Sequence, residues 1–396
     1  MSDAQQLEKN YHFQVYNRIP VTLSHGKGAV VWDTDGNEYL DAFGGLAVNN
    51  LGHCHPKVVA AIKEQSEKML HASNFFYTEP QSRLAEKLAK VSGLDRVFFC
   101  NSGVEAMEAC VKLARKWGQK QGKSGNVITL SEGFHGRSVT TIAMGMESYR
   151  EGFDPIPPGF EHSPFNDFEA LKTKANKDTI AIAFEPIQGS GGVNVVDAEF
   201  MKKTRALCDD LNILLILDEV QCGVGRSGKF YAYQHFDVMP DVVASAKALA
   251  GGIPIGAVMA KEEVASALGF GDHGTTFGGN PFATHVACAA LDAIEEENIT
   301  EQAAEKGAYM MELLHKKLED HPMVTDIRGL GLMLGVELNQ PARPVVDIMF
   351  EHKILANAAH GNVVRFLPPL VISKEQIDRV VEVLVVSLDK ITDGAD

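Results

Sequence analysis

The sequence predicts an α/β protein with two unequal domains. The larger is expected to hold a mainly parallel sheet flanked by helices, and the smaller to be an α+β domain. Short apolar runs of strand length alternate with longer segments of helical period between residues 97 and 260. These runs show little alternation of apolar and polar side chains, which is typical of strands buried on both faces. Beyond Pro281 the pattern changes to long helical segments, which favours a second domain.

Six apolar runs predict the strands of the large domain. They lie at residues 97–99, 127–130, 180–184, 213–217, 241–244 and 255–259. Apolar residues recur with helical period at residues 104–117 and 201–211, between some of these runs. Strands that alternate with helices predict a parallel sheet covered by helices on both faces.

The two ends of the chain predict the smaller domain. Residues 1–50 contain short strand candidates and the turn sequence Asp-Thr-Asp-Gly-Asn at 33–37. We expect residues 1–50 and 282–396 to form this domain and residues 51–281 to form the large one. Its C-terminal part is expected to contain one long helix, two strands and a closing helix, at residues 282–318, 331–338, 362–366 and 374–388.

Composition excludes several functional classes. The chain has 396 residues, with 37 basic and 52 acidic side chains and a net charge of −15. Nucleic-acid and membrane-surface partners are disfavoured, because both require clustered basic residues. No apolar run approaches the roughly 20 residues of a membrane span, and no signal peptide is visible. The six cysteines contain no Cys-x-x-Cys pair, so we expect reduced thiols and a cytoplasmic protein.

Polar and glycine-rich clusters follow the carboxyl ends of five predicted strands. In open parallel sheets, ligands bind outside the carboxyl ends of the strands. One such cluster is no more than a polar turn, but five with complementary chemistry predict one composite site. The clusters lie at residues 100–103, 132–137, 185, 218–219 and 247.

Two of these clusters have the chemistry of an anion site and of a buried carboxylate. Ser102 and Glu105 have the spacing of a capping box, and the helix that follows them would offer free N–H groups to an anion such as phosphate. Most capping boxes bind nothing, so this signal is weak alone. Asp218 ends an apolar strand and should be buried, where it needs a cation or a donor. That partner is either a neighbouring arginine or a protonated heterocyclic nitrogen.

Lys247 is flanked by small apolar residues, in the sequence Ser-Ala-Lys-Ala-Leu. Burial would lower its pKa and give the nucleophilic neutral amine that Schiff-base formation requires. The alternative is a side chain that extends past its apolar neighbours to solvent. Composition alone leaves both interpretations open.

Two further patterns invite interpretations that we disfavour. Residues 223–228 match Gly-x-Gly-x-x-Gly, but no clear helix follows, and Phe230 occupies the place of the Mg²⁺-binding Ser or Thr of a P-loop. His53, Cys54 and His55 resemble metal ligands, yet adjacent residues rarely face one ion. We therefore predict neither a nucleotide site nor a metal site.

Taken together, the motifs resemble those of class III pyridoxal-phosphate aminotransferases of fold type I. The resemblance runs from about Tyr16 to Ile377, and within the family it is greatest to acetylornithine aminotransferases. The strings that carry it are NNLGHCHP, NSGVEAMEACVKLAR, GFHGRS, FEPIQG, LILDEVQCGVGRSGKF, PDVVASAKALAGGIPIGAV, TTFGGNP and VVRFLPPL.

The resemblance implies pyridoxal 5′-phosphate as cofactor and assigns roles around it. Lys247 would link covalently to the cofactor and carry the proton, and Asp218 would keep the ring nitrogen protonated. Phe134 would stack on the ring, and Gln221 would hydrogen-bond the ring hydroxyl. The other cofactor contacts are expected from Ser102, Gly103, Val104, His135 and Glu185, and from Thr276 of a partner subunit in a homodimer with shared active sites.

The resemblance also implies the substrates, an amino donor and a 2-keto acid acceptor. Arg137 and Arg365 would bind substrate carboxylates, and Tyr16 would line the entrance. The expected reaction moves a terminal amino group from an N-acylated diamino acid, N-acetylornithine, to 2-oxoglutarate. Alternatives are an ω-amino acid aminotransferase that uses pyruvate, an ornithine or 4-aminobutyrate aminotransferase, an aminomutase, and a nonenzymatic binding protein.

One position departs from the family pattern. The family usually has EPIQGEGG, in which the second Glu pairs with the arginine at position 365 and masks it while an ω-amino donor binds. Here the string is EPIQGSGG, with Ser190 at that position. The sequence therefore predicts that this mask is missing.

Overall fold

A computed structural model describes residues 3–394 of the chain, and its largest sheet has seven strands. The strands of the chain are β1 Leu23–Lys27, β2 Val30–Asp33, β3 Glu38–Asp41, β4 Arg96–Cys100, β5 Val127–Leu130, β6 Phe160–Ser163, β7 Ala181–Phe184, β8 Ile187–Gln188, β9 Asn194–Val195, β10 Leu214–Asp218, β11 Val242–Ser245, β12 Gly256–Ala260, β13 Val324–Leu330, β14 Met333–Leu338, β15 Ile354–Leu355, β16 Asn357–Ala359 and β17 Val363–Phe366.

The helices surround this sheet and form much of the C-terminal part. They are α1 Asp3–Tyr11, α2 Gly44–Ala47, α3 Pro56–Ser66, α4 Glu79–Ser92, α5 Gly103–Lys120, α6 Val139–Met144, α7 Phe168–Lys174, α8 Ala198–Leu211, α9 Glu262–Ala265, α10 Pro281–Glu296, α11 Ile299–Leu318, α12 Arg343–Glu351 and α13 Lys374–Asp393. None of the helices in residues 3–394 combines the length and the apolar character needed to cross a bilayer.

The large sheet has the strand order β4-β12-β11-β10-β7-β5-β6. Strand β12 runs antiparallel to both neighbours, and the other pairs are parallel. In β10, Leu215 and Leu217 belong to one apolar cluster and Leu214 and Ile216 to another, because successive side chains point to opposite faces. Both faces are therefore covered, which explains the continuous apolar run. The predicted fold class and the mainly parallel sheet are confirmed.

The smaller sheets join the two ends of the chain. Strand β15 pairs in parallel with β3, with Ile354 opposite Leu40. The C-terminal part also holds the antiparallel sheet β13-β14-β17-β16. These pairings accord with one domain made from both ends, and the predicted boundaries at residues 50 and 281 stay a prediction.

The single long helix predicted at residues 282–318 is wrong. The chain forms α10 and α11 with a break at Glu297 and Asn298, where Asn298 adopts a left-handed φ of 52°. Asparagine tolerates this conformation, so the break needs neither Gly nor Pro, the residues that usually mark one. The prediction also missed β13, which carries the polar residues Asp326 and Arg328 and a register shift near its start.

Candidate active site

The charged side chains predicted from the strand ends meet at one edge of the large sheet. Asp218 is the last residue of β10 and pairs in register with Ala244 of β11. Lys247 follows three residues beyond Ala244, so it lies beside Asp218. Glu185 follows β7, the neighbour of β10, and His135 lies in the loop after β5. Parallel pairing therefore brings four separate loops to one site.

Lys247 combines a strained backbone with a partly buried side chain. Its φ is 48°, a left-handed value that costs a non-glycine residue about 1–2 kcal/mol and that occurs most often at functional sites. Burial lowers the pKa of Lys247, although the negative charges of Asp218 and Glu185 oppose this effect. A lowered pKa increases the fraction of neutral, nucleophilic amine. This supports the interpretation of Lys247 as a Schiff-base lysine over that of a side chain that extends to solvent.

Asp218 is paired with a histidine and not with an arginine. Its Oδ2 atom lies 2.7 Å from Nδ1 of His135, and its Oδ1 accepts a hydrogen bond from the N–H of Val220 at 3.0 Å. Both side chains are buried. Burial opposes protonation of His135, but the hydrogen bond and negative charge of Asp218 raise the pKa of His135 overall. A protonated His135 would place a positive charge beside the Asp218 carboxylate.

Glu185 holds two neighbouring loops against the same site. It accepts hydrogen bonds from the N–H groups of Phe134 at 2.9 Å and Gly189 at 3.3 Å. Burial raises the pKa of Glu185 to about 7, with the charge of Asp218 adding to this effect and His135 opposing it. The carboxyl group thus fixes the backbone that carries the Phe134 ring.

The amino end of α5 packs against Val220, two residues beyond Asp218. The Ser102 hydroxyl accepts the N–H of Glu105 at 3.3 Å, as predicted, but the Glu105 carboxylate accepts the N–H of Asn101 and not that of Ser102. The reciprocal half of the predicted capping box is therefore wrong, because the carboxylate reaches one residue further back. The first-turn N–H groups of Gly103 and Val104 have no intrahelical acceptor and suit an anion.

Arg365 projects from β17 and is buried among neutral partners. Its Nη2 donates to Oδ1 of Asn357 at 2.6 Å, and its Nη1 donates to Oε1 of Gln221 at 3.3 Å. Burial lowers the pKa of Arg365 to about 10, against the opposing charge of Glu185. Gly189 permits this contact, since a Cβ there would lie 1.7 Å from Oε1 of Gln221.

A second arginine lies over two aromatic rings. The guanidinium of Arg137 is 3.8 Å from the centroid of the Tyr149 ring and 5.5 Å from that of Phe134. The two rings meet edge to face, with 5.7 Å between centroids. Arg137 is exposed, so its cation is available to an anionic ligand while the rings restrict its position.

Comparison with known proteins assigns the family. A family model for class III aminotransferases matches residues 12–388. The chain is a class III aminotransferase. It is 51% identical to an acetylornithine aminotransferase of Methanocaldococcus jannaschii over 96% of each chain. A protein of that name from Clostridium acetobutylicum is 45% identical over 94% of this chain and 97% of its own.

Solved structures give the same fold. An ornithine aminotransferase from Toxoplasma gondii superposes with a TM-score of 0.96 and 36% identity, over 99% of this chain and 96% of its own. An acetylornithine aminotransferase from Elizabethkingia anophelis superposes with a TM-score of 0.87 and is 34% identical, over 98% of each chain. The aminotransferase therefore has fold type I, and the cofactor of its family is pyridoxal 5′-phosphate.

The residues of this aminotransferase fit that cofactor. Lys247 offers an amine without a hydrogen-bond partner in residues 3–394, as a covalent link requires. The buried Asp218 carboxylate suits a protonated ring nitrogen, and the free N–H groups at the start of α5 suit the phosphate. His135 supports this arrangement, because its buried Nε2 is left unpaired while Nδ1 is committed to Asp218.

Two predicted site residues of the aminotransferase lie at the surface of this chain. Tyr16 is exposed, with Arg18 above its ring at 5.3 Å. Thr276 is also exposed, whereas the neighbouring Thr275 accepts a hydrogen bond from Asn101 at 3.2 Å. Their roles at the entrance and across a subunit interface stay predictions.

Two residues that border the aminotransferase site lie outside the predicted set. Asn357 contacts Arg365, and Tyr149 supports Arg137. The feature that could have identified Asn357 is its position on β16, in register opposite Arg365 of β17. However, β16 has only three residues and resembles a loop in sequence. Tyr149 lies in a single 3₁₀ turn, for which the sequence carries no periodic signal.

The two disfavoured patterns have structural roles in the aminotransferase. Arg226, in the Gly223–Gly228 loop, is fully buried and donates to the carbonyl of Leu332 at 3.0 Å. His53 lies 2.7 Å from a carboxylate oxygen of Asp41, and its backbone pairs with Gly28. Residues 3–394 contain no group of three or more His, Cys, Asp or Glu side chains suited to a metal ion.

Proposed function

We propose that this aminotransferase transfers the terminal amino group of N-acetylornithine, an N-acylated diamino acid, to 2-oxoglutarate. The observation that carries the reaction class is Lys247, a partly buried amine of lowered pKa beside the buried Asp218. The substrate class rests on relatives named acetylornithine aminotransferase that are 44–51% identical over at least 94% of this chain.

When bound, the cofactor supplies an electron sink for the bond that breaks at the substrate carbon bearing the amino group. Lys247 would first hold the cofactor and then, once released, move the proton at that carbon through Nζ. The low pKa that burial gives Lys247 suits both tasks, since each needs an unprotonated amine. The left-handed backbone at Lys247 would aim the side chain into the site.

Asp218 and His135 would act as a unit at the ring end of the site. The Asp218 carboxylate would hold a proton on the ring nitrogen, and His135 would fix the direction of that carboxylate through the hydrogen bond at Nδ1. Glu185 would support Phe134, whose ring would stack on the cofactor. Ser102, Gly103 and Val104 would bind the phosphate at the start of α5.

Two arginines would bind the carboxylates of the substrates. 2-Oxoglutarate has two carboxylates, and the chain offers Arg365 inside the site and Arg137 nearer its surface. A guanidinium can bind a carboxylate through two parallel hydrogen bonds, which fixes orientation as well as charge. Tyr16 would lie near the entrance that these ligands use.

A second candidate is an ω-amino acid aminotransferase that uses pyruvate, and an ornithine or 4-aminobutyrate aminotransferase is a related alternative. Ser190 favours the enzyme that uses pyruvate, because the acidic residue of the usual family motif is absent there. With Arg365 unmasked, small α-amino and α-keto acids would meet a free cation.

The test is a panel of amino donors assayed against both 2-oxoglutarate and pyruvate with purified, cofactor-loaded enzyme. We expect the highest kcat/KM for N-acetylornithine with 2-oxoglutarate. A higher value for an ω-amino acid with pyruvate would replace the first candidate by the second. No turnover of any donor would exclude both.

We also propose a homodimer with shared active sites. Phe75, Phe76, Tyr77 and Phe277 leave large aromatic surfaces exposed, which is typical of an interface. Asn74 ties the two segments together by donating to the carbonyls of Thr275 and Gly278, both at 3.0 Å. Thr276 lies in this patch and would complete the phosphate site of the partner.

A cytoplasmic location is proposed on the state of the cysteines. All six are free, and Cys100, Cys110, Cys208 and Cys222 are buried. Free thiols in this number accord with a reducing compartment.

A further inference from the structure

We propose that Asn357 is a specificity-determining residue, whose neutral amide holds Arg365 in place and leaves its positive charge open to a substrate carboxylate in both half-reactions. Arg365 forms no ion pair within residues 3–394, although it is buried. The inference rests on the proposed function only in that the substrates carry carboxylates.

The contact between Asn357 and Arg365 is fixed by strand pairing. The two residues are directly opposite in the antiparallel pair β16–β17, so their side chains share one face of the sheet. Nη2 of Arg365 lies 2.6 Å from Oδ1 of Asn357. A guanidinium carries only donors, so the amide must present its oxygen to it.

The two amide groups hold the guanidinium but leave most of its N–H donors free. A guanidinium has five N–H donors, of which Asn357 and Gln221 accept one each, so three remain. One of these is at Nε, which is buried and has no partner in the described residues. Two donors are enough for a bidentate carboxylate, and a buried unpaired donor is unfavourable until such a ligand arrives.

Ser190 offers no competing charge. It lies in the loop between β8 and β9, and its hydroxyl has no hydrogen-bond partner in residues 3–394. Neutral groups therefore occupy position 190 of the family motif and position 357 opposite Arg365 on β16. The negative charge of Glu185 acts on Arg365 without an ion pair, because its carboxylate accepts hydrogen bonds from the N–H groups of Phe134 and Gly189. An aspartate at 357 has nearly the shape of asparagine and would introduce a mask within ion-pair distance.

The experiment measures binding of glutarate, a dicarboxylate that cannot be transaminated, to cofactor-loaded enzyme by calorimetry. Asn357→Asp should weaken glutarate at least about tenfold, because the new carboxylate competes for Arg365. Asn357→Leu removes the hydrogen bond without adding charge and should weaken glutarate only about two- to threefold. Asn339→Asp adds the same charge at an exposed position of the same domain and should bind glutarate like wild type.

Steady-state kinetics give a second readout. In Asn357→Asp the KM for 2-oxoglutarate should rise at least about fivefold, while kcat changes less than about twofold, because the new charge opposes carboxylate binding and not the chemistry. Equal glutarate affinity in Asn357→Asp and wild type would overturn the inference, as would equal losses in the Asp and Leu variants. These outcomes do not depend on the donor, so they are distinguishable from a failure of the proposed N-acetylornithine reaction.

Discussion

The two ends of the active site hold buried charges in opposite ways. At the ring end, the Asp218 carboxylate faces a histidine of raised pKa, with 2.7 Å between Oδ2 and Nδ1. At the carboxylate end, the Arg365 guanidinium donates to the amide oxygens of Asn357 and Gln221, and the negative charge of Glu185 acts on it without an ion pair in residues 3–394. Both charged side chains are buried, but within residues 3–394 only Asp218 has a side chain that can carry the opposite charge at hydrogen-bond distance.

This difference indicates which charges are permanent parts of the site and which await a ligand. A buried ion is costly unless it is paired. His135 offsets that cost for Asp218 throughout the cycle, as a fixed anchor for the cofactor requires. Arg365 forms no direct ion pair within residues 3–394, so a substrate carboxylate would supply a counter-charge in contact with it and gain affinity from that contact.

The largest effect should come from removing the charge at the ring end. Asp218→Asn should reduce kcat by about two to three orders of magnitude, on the order of 3–4 kcal/mol, because a neutral amide cannot hold a proton on the ring nitrogen. Single-turnover rates with saturating donor measure this. Near-normal rates in a variant that retains the cofactor would make Asp218 a structural residue.

A smaller effect should follow from removing the partner of that charge. His135→Asn should lower kcat about tenfold, because Asp218 would lose its counter-charge and direction. The raised pKa of His135 also predicts a pH dependence. Its pair with Asp218 should stabilise the fold fully below the unfolded pKa of about 6.5 and lose this contribution as pH rises through the higher folded value.

The difference in unfolding free energy between wild type and His135→Asn should therefore be larger at pH 6 than at pH 9. Chemical denaturation of both proteins at the two pH values measures it. A constant difference would mean that His135 is not charged in the folded protein.

At the carboxylate end, Ser190→Glu should give the buried charge of Arg365 a charged partner, as His135 is for Asp218 at the ring end. A carboxylate about 4 Å from Arg365 would attract it by roughly 4 kcal/mol at an effective dielectric constant near 20, and solvent would reduce this. We expect a several-fold higher KM for 2-oxoglutarate and a stronger preference for ω-amine over α-amine donors. Ser190→Thr is the uncharged control. Unchanged constants in Ser190→Glu would show that position 190 does not govern Arg365.

The smallest effect should come from the proposed partner contact, which lies outside both ends. Thr276→Val should weaken retention of the cofactor about threefold with little change in thermal stability, since it removes one hydrogen bond to the phosphate. Dialysis followed by absorbance measures retention. A monomer that stays fully active on dilution would contradict the shared site.

The ring end could be predicted from the sequence to a large extent, and the carboxylate end only in part. Asp218, Glu185 and Lys247 each follow a continuous apolar strand, so their position at one sheet edge follows from the parallel pattern. The partner of Asp218 could not be predicted in this way, because His135 comes from a loop two strands away in the sheet. Strand patterns locate strand ends, but they do not give the direction of loop side chains.

The surroundings of Arg365 depend on register between short strands. Asn357 lies on a three-residue strand whose pattern does not distinguish it from a loop. The other partner of Arg365, Gln221, lies 144 positions away in the sequence. The break between α10 and α11 was missed for a related reason, since a left-handed asparagine interrupts a helix without changing its apolar period. Such features require coordinates.

The central claim is that Lys247 holds the cofactor between these two ends, and its most direct test is chemical trapping. The purified enzyme should be yellow, and borohydride should fix the cofactor irreversibly. Peptide mapping by mass spectrometry should then find the label on Lys247 alone, and Lys247→Ala should take up none. Label on a different lysine, or a wild-type enzyme that binds no cofactor, would contradict the account.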